Sequence, residues 1–316
     1  MNIEDLLRET LSDMAVEEQP PPPGRFLQAR GRRPRRGLVL ATAAAAAVAV
    51  LAAGSALAVQ GLSSRGPGNP TGQSSRPSPD RLRPPTLTVK QGLRLSQIFE
   101  QLSAVTGKPV REFRRAAEDG EALGLPTYAK GRLEGFAFPG TYEVPPSSSP
   151  SGILASMVTR FERAAEDSGL VEGARRLHRT PLEVVTVASI IEAETYDKRD
   201  MPKVARVIYN RLNRTPRMKL QLDGTVLYGA GKFGRAASNE DLRTSSPYNT
   251  YTHAGLPPGP IGNPGADAIE AALRPATGSW LYFVATDPRK GTVKFASSGA
   301  EFLELVAERA KNLRKG

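Results

Sequence analysis

The pattern of apolar and polar positions divides the chain into segments of different character. Residues 37–59 form an uncharged run of 23 residues rich in Ala, Leu and Val. As a helix this run would be about 34 Å long, enough to cross a bilayer core. Residues 61–85 are rich in Gly, Pro, Ser and Arg, which predicts an extended linker. Regular apolar periodicity begins at residue 86, so we expect the folded body over 86–316.

Charges on either side of the apolar run predict its orientation. Six arginines precede it within a dozen residues, at positions 25, 30, 32, 33, 35 and 36, whereas only Arg65 and Arg76 occur in the twenty residues after it. The positive-inside rule therefore predicts a single-pass transmembrane helix over 37–60, with a cytoplasmic N-terminus and an extracytoplasmic body. The alternative is a cleaved signal peptide ending at Ala56-Leu57-Ala58. A 36-residue leader and so long an apolar run argue against cleavage.

Composition excludes several kinds of chemistry. The absence of Cys excludes a disulfide scaffold, cysteine metal ligands and cysteine nucleophiles. The chain has only two His, so a metal site built from several histidines or a Ser-His triad is poorly supported. Residues 1–24 are acidic with a Pro-rich end, and the tail over 1–36 is therefore predicted to be cytoplasmic and mostly disordered. A net charge of +11 is compatible with nucleic acid, anionic lipid or an anionic wall polymer. Because the body is expected outside the cell, we expect no nucleic-acid partner.

The body is predicted to belong to the α+β class. Alternation over 86–89 predicts a strand, and helical spacing follows over 95–102 and 110–117. This strand–helix–helix order over 86–130 resembles the start of a LysM-like subdomain, a fold often found on peptidoglycan-binding proteins. Further on, the pattern predicts a helix at 266–273, strands at 280–285 and 292–296, and a helix from about residue 300. The rest of the body, 131–316, is therefore expected to contain helices around a cleft beside a small antiparallel sheet.

The helix that starts at Thr180 carries the first candidate for chemistry. Thr180-Pro181-Leu182-Glu183 has the residues of a capping box with Pro at the first helical position. Glu194 continues the apolar stripe of this helix, whereas Glu192 points about 200° away from Glu194, toward solvent or a neighbouring element. A carboxyl on an apolar face has a raised pKa, as a general acid near neutral pH requires.

The stripe on which Glu194 lies consists of Val184, Val187, Ala188 and Ile191. From this periodicity alone, Glu194 is equally compatible with a structural role, as a buried carboxylate paired with Arg206 or Arg211.

Residues 246–265 are rich in Pro and Gly interrupted by Tyr and Asn, which is incompatible with a regular element. Such a shaped loop offers aromatic faces and amide groups, as sugar-binding clefts do. The alternative is a rigid structural loop whose tyrosines pack inward.

Several motifs together resemble the endolytic murein transglycosylases, the MltG or YceG-like family. They are LEGFAFPGTYEV at 133–144, VASIIEAET at 187–195, VARVIYNRL at 204–212, LQLDGTVLYG at 220–229, SPYNTYTHAGLPPGPIGNPG at 246–265 and LYFVA at 281–285. The resemblance covers about 86–316. The chain departs from the usual family pattern at Leu222, where Thr or Ser is common, and at Gly224, where Pro or Ala is common.

The resemblance implies a lytic transglycosylase without metal or cofactor. Glu194, the second Glu of the Glu-x-Glu-Thr motif, would act first as acid and then as base on the bond between N-acetylmuramic acid and N-acetylglucosamine. The implied partners are nascent glycan strands of peptidoglycan, the membrane, and the penicillin-binding synthases with the elongation or division machinery. Substrate contacts are expected from Asn210, Gln221, Asp223, Tyr248, Asn249 and Tyr251.

Two alternatives remain open from the sequence. A muramidase-type hydrolase on the same scaffold would use a second carboxylate, for which Asp223 and Glu192 are the nearby candidates. A non-catalytic wall-binding scaffold would use the LysM-like module and would not depend on Glu194.

Overall fold

The structure is a computed structural model that describes residues 84–195, 197–233 and 236–314. The predicted tail at 1–36 and transmembrane helix at 37–60 lie outside the described residues, as does the predicted linker up to residue 83. None of the helices in the described ranges combines the length and the apolar character needed to span a bilayer.

Helices dominate the described residues, and the four strands form two small sheets. In chain order the elements are β1 (Thr86–Val89), α1 (Leu95–Thr106), α2 (Val110–Glu118), β2 (Gly140–Glu143), α3 (Pro150–Ser168), α4 (Leu170–Arg176), α5 (Pro181–Glu194), α6 (Met201–Leu212), α7 (Asp223–Gly229), α8 (Ala266–Leu273), β3 (Tyr282–Asp287), β4 (Thr292–Ala296) and α9 (Gly299–Arg314). This mixture agrees with the predicted α+β class.

Both sheets are antiparallel pairs. In the first, β1 pairs with β2, so that Thr86 lies opposite Glu143 and Val89 opposite Gly140. The strand–helix–helix order from residue 86 is confirmed, but β2 was not predicted and lies beyond residue 130. In the second sheet β3 pairs with β4, as the sequence pattern predicts, and α9 packs against this hairpin.

Helix α5 is the central element of the fold. It contacts α4, α6, α7 and α8, and every residue from Val184 to Ile191 is buried. The apolar stripe read from the sequence is buried, but it is only part of the buried surface of this helix. The helix is apolar on all sides because neighbouring elements surround it, as in the centre of a helical protein.

The N-terminus of α5 has the predicted capping box. The Glu183 amide donates to the Thr180 hydroxyl at 3.2 Å, and the Glu183 carboxylate accepts from the Thr180 amide at 2.8 Å. These bonds satisfy amide groups that the first turn of a helix leaves unpaired. The cap fixes where α5 begins, and the helix then ends at Glu194.

Candidate active site

Glu194 occupies the C-terminal end of α5, where the residue as a whole is partly exposed but its carboxyl group is buried. One carboxylate oxygen, Oε1, accepts a hydrogen bond from the Gly224 amide of α7 at 3.1 Å. Burial, with a smaller contribution from the negative charge of Asp223, raises the pKa of Glu194 to about 7, although the hydrogen bond from the Gly224 amide acts in the opposite direction. The carboxyl is therefore balanced between its protonated and ionised forms near neutral pH.

Asp223 and Tyr251 lie beside Glu194. The Tyr251 hydroxyl donates to Asp223 Oδ1 at 2.7 Å, and the Ala237 amide donates to Asp223 Oδ2 at 3.3 Å. Burial and the nearby Asp223 carboxylate raise the pKa of Tyr251 well above its usual value. Tyr251 consequently keeps its proton and acts as a hydrogen-bond donor to Asp223.

The segment before α7 is tied to the loop that carries Tyr251. The Gln221 amide donates to the Thr250 carbonyl at 3.1 Å, and the Leu222 amide donates to the Thr250 hydroxyl at 3.0 Å. Gln221 has a φ of 49°, a left-handed conformation that is uncommon for residues other than glycine. The two hydrogen bonds to Thr250 stabilise this strained conformation. They also keep the segment that carries Asp223 next to the loop that carries Tyr251.

Glu192 points away from Glu194, toward a neighbouring element, as its helical position predicts. Its carboxylate accepts from the Gly265 amide at 3.1 Å, just before α8. Burial raises the pKa of Glu192 above its ordinary value. Glu192 thus fastens α5 to the start of α8.

The alternative pairing of Glu194 with an arginine is not found among the described residues. Arg206 donates to the Pro275 and Ala276 carbonyls. Arg211 is buried and donates to the carbonyls of Leu281, Lys219 and Leu220. Both arginines bind backbone oxygens, so the Glu194 carboxyl has no such cation to hold it in the ionised form.

Of the remaining predicted substrate contacts, the two asparagines bind backbone carbonyls and the tyrosine packs on another aromatic ring. Asn249 is fully buried, and its amide donates to the Leu242 and Thr244 carbonyls at 2.9 Å each, so it supports the loop and offers no surface to a substrate. Asn210 likewise donates to the Trp280 carbonyl at 2.8 Å. Tyr248 is half-buried and packs on Tyr228 with ring centroids 4.8 Å apart. The structure therefore brings Asp223 and Tyr251 to Glu194 and gives Asn249 and Asn210 supporting roles.

Sequence reasoning missed a second buried carboxyl, Glu134. Burial raises its pKa to about 7, and it accepts hydrogen bonds from Leu95, Tyr228 and Asn263. The available signal was a single acidic residue inside the apolar segment Leu133 to Phe138. Its partners lie 39, 94 and 129 residues away in the chain.

Comparison with known proteins gives consistent matches. A family model described as the YceG-like family matches residues 71–308. A protein of Bacillus subtilis (strain 168) is 42% identical over 156 residues, covering 48% of this chain and 42% of that protein. A protein of Streptococcus pneumoniae (strain D39) is 31% identical over 248 residues, covering 71% of this chain and 44% of that protein. Both relatives are named endolytic murein transglycosylase, and the chain spans less than half of their length.

A solved structure also resembles the described fold. The 2.6 Å crystal structure of a YceG-like protein from Listeria monocytogenes has a TM-score of 0.63 and 30% identity. The alignment covers 71% of this chain and 76% of the Listeria chain.

Proposed function

Because the chain belongs to the YceG-like family, we propose that it is a lytic transglycosylase that cleaves peptidoglycan strands endolytically. The observation that carries the proposal is the Glu194 carboxyl, buried at the end of α5 with a pKa near 7. The names of the matched relatives support the same activity.

In the proposed reaction, one carboxyl performs two proton transfers. Protonated Glu194 donates its proton to the glycosidic oxygen between N-acetylmuramic acid and N-acetylglucosamine as positive charge develops at the anomeric carbon. The resulting carboxylate then removes the proton from the muramyl 6-hydroxyl, whose oxygen attacks that carbon. The C–O bond to the leaving sugar is replaced by an internal one, so a 1,6-anhydro end forms and Glu194 regains its proton. This sequence uses no metal or cofactor.

The surroundings of Glu194 suit both steps. Burial keeps a large share of the carboxyl protonated near pH 7, which the first step needs. The Gly224 amide, 3.1 Å from Oε1, stabilises the carboxylate that exists between the two steps. Asp223 limits how stable that carboxylate becomes, so the return of the proton remains favourable.

We assign substrate contact to Asp223 and Tyr251, which lie beside Glu194. We also assign it to Gln221 and Tyr248, from their places in the motifs at 220–229 and 246–265. We further propose that residues from 86 onward form a LysM-like unit that helps to hold glycan. The pairing of β1 with β2 supports that reading, because it joins the strand before α1 and α2 to a strand that follows them.

The proposed location is the outer face of the cell membrane. The uncharged run at 37–59 and the arginines before it support a single anchor with a cytoplasmic N-terminus. Nascent glycan strands emerge on that face, so the penicillin-binding synthases and the elongation or division machinery are the proposed protein partners.

One observation favours a second candidate, a muramidase on the same scaffold. Asp223 supplies a second carboxylate beside Glu194, as hydrolytic mechanisms usually require. A hydrolase would leave reducing ends instead of anhydro ends.

Mass spectrometry of the products separates these functions. The full-length chain in detergent is incubated with purified glycan strands, wild type beside Glu194→Gln. We expect anhydro-muramyl ends from the wild type and at least a hundredfold fewer from the variant, roughly as expected for loss of a general acid. Reducing ends would favour the muramidase, and equal product from Glu194→Gln would contradict the role of Glu194. If neither protein cleaves, the wall-binding scaffold is favoured.

A further inference from the structure

Glu134 is a buried carboxyl that the proposed reaction does not use. It lies in the loop before β2, and both carboxylate oxygens are engaged. Oε1 accepts from the Asn263 side-chain amide at 2.9 Å and from the Leu95 backbone amide at 3.2 Å, while Oε2 accepts from the Tyr228 hydroxyl at 3.2 Å. A carboxyl removed from water in this way is retained only where its partners compensate for lost hydration.

The donors to Glu134 come from three separate parts of the fold. Leu95 is the first residue of α1, Tyr228 lies in the last turn of α7, and Asn263 lies in the loop before α8. Asn263 is fully buried, and its Oδ1 accepts from the Gly135 amide at 3.0 Å. Glu134 therefore joins the N-terminal strand–helix–helix segment to α7.

Arg94 strengthens the same connection. Its guanidinium lies 5.0 Å from the centroid of the Tyr228 ring and 4.4 Å from that of Phe233, and it donates to the Leu227 carbonyl at 3.4 Å. Opposite charges on Arg94 and Glu134 also attract each other across this junction. Residues 94 and 134 thus hold the C-terminal end of α7 from the side of the N-terminal segment.

The opposite end of α7 contacts Glu194. Gly224, in the first turn, donates to Glu194 Oε1. Tyr228 is four residues further on, so it lies on the same face of α7 and about 6 Å along its axis. One short helix is therefore bonded to Glu194 at its beginning and to Glu134 at its end.

We propose that Glu134 is a positioning residue for Glu194. Through Tyr228, and with Arg94, it fixes the position of α7 so that the Gly224 amide and the Asp223 carboxylate stay against the Glu194 carboxyl. The activity readout of this inference rests on the proposed function, whereas the exchange readout below does not.

Two substitutions at Glu134 separate its hydrogen bonds from its charge. In Glu134→Gln the amide oxygen can accept from Leu95 and Asn263, and its N–H can donate to the Tyr228 hydroxyl oxygen. Glu134→Ala removes all of these bonds. Glu183→Ala is the matched control, because Glu183 also accepts from an amide at a helix start but its hydrogen bonds and its ion pair with Arg179 stay within residues 179–183.

The first measurement is hydrogen–deuterium exchange of the full-length protein, followed by mass spectrometry of peptides that cover 222–230. Glu134→Ala should speed exchange there by about tenfold, as expected for the loss of buried hydrogen bonds, while Glu134→Gln stays close to wild type. Glu183→Ala should lower the Tm but speed exchange at 222–230 no more than in the rest of the body, whereas Glu134→Ala should add a change that is specific to 222–230. An unchanged rate in Glu134→Ala would overturn the inference.

The second measurement is the kinetics of glycan cleavage. Glu134→Ala should lower kcat by about tenfold with KM within about twofold of wild type, and Tyr228→Phe should show part of the same loss. Glu134→Gln should recover most of kcat, and Glu183→Ala should retain it. A raised KM with unchanged kcat would overturn the inference, because Glu134 would then serve substrate binding.

The two measurements fail separately. If the wild type cleaves no glycan, the proposed function fails, but exchange at 222–230 still decides whether Glu134 positions α7.

Discussion

At the scale of single residues, the raised pKa of Glu194 makes stability depend on pH. Between about pH 4.5 and 7 the unfolded chain has released this proton while the folded protein retains it, so the free energy of unfolding falls as pH rises. Glu194→Gln lacks this dependence, and we expect its stability relative to wild type to increase by up to about 3 kcal/mol across that range. Urea unfolding at pH 4 and pH 8 measures the difference. Glu134 titrates in both proteins, so its contribution cancels when their free energies of unfolding are subtracted. A difference between the two proteins that is the same at pH 4 and pH 8 would contradict the prediction.

The charge of Asp223 should contribute, after burial, to the position of the alkaline limb of activity. If Glu194 must be protonated to react, kcat/KM falls as pH rises above about 7. Asp223→Asn removes a negative charge that raises the pKa of Glu194, so the limb should move to lower pH by up to about one unit. Tyr251→Phe keeps the Asp223 charge, and its limb should not move in that direction. A limb that stays in place in Asp223→Asn would show that the Asp223 charge does not act on Glu194.

At the scale of elements, the Gly224 amide in the first turn of α7 lowers the pKa of Glu194, whereas the Asp223 charge raises it. A Cβ added at Gly224 would lie 2.9 Å from Glu194 Oε1, so the carboxyl must move away and its bond from the Gly224 amide must weaken. That bond favours the ionised form, so Gly224→Ala should raise the pKa of Glu194 and move the alkaline limb to higher pH. The measurement is the pH dependence of kcat/KM for Gly224→Ala and for Asp223→Asn, whose alkaline limbs should move in opposite directions from that of the wild type. Limbs that shift in the same direction would contradict this account of the site.

The elements also differ in how well they could be predicted from the sequence alone. The start of α5 was predictable because its capping box consists of four consecutive residues. Strand β2 was missed because its four residues become a strand only by pairing with β1, more than fifty residues earlier in the chain. Helix α7 was missed because its seven residues are too few to show a clear period.

The same limit applies to the site. Glu194 could be predicted from its place on the helix that carries it and from the Glu-x-Glu-Thr motif. Glu134 could not, because the groups that bind it come from three distant segments. Asn249 was predicted to touch substrate because amide groups suit sugars, but the backbone carbonyls of its own loop occupy it.

At the scale of the whole molecule, the described body should unfold as one unit. Side chains of α1, such as Leu102, belong to the same apolar core as Val187 of α5. Leu102→Ala should therefore destabilise both regions, by about 2–5 kcal/mol. Val105→Ala on the same helix is the matched control, because Val105 is exposed and its truncation should change stability by less than about 0.5 kcal/mol.

Hydrogen exchange of the full-length protein tests this coupling, since peptides from α1 and α5 report separately on their own regions. If the core is cooperative, Leu102→Ala speeds the slowest exchange in both helices by the same factor, because both then open only through global unfolding. Faster exchange confined to α1 and α2 would instead mean that the segment from residue 86 opens alone. In that case the contacts of Glu134 and Arg94 with α7 would be lost in every such opening, and the position of α7 against Glu194 would depend on the stability of the N-terminal segment.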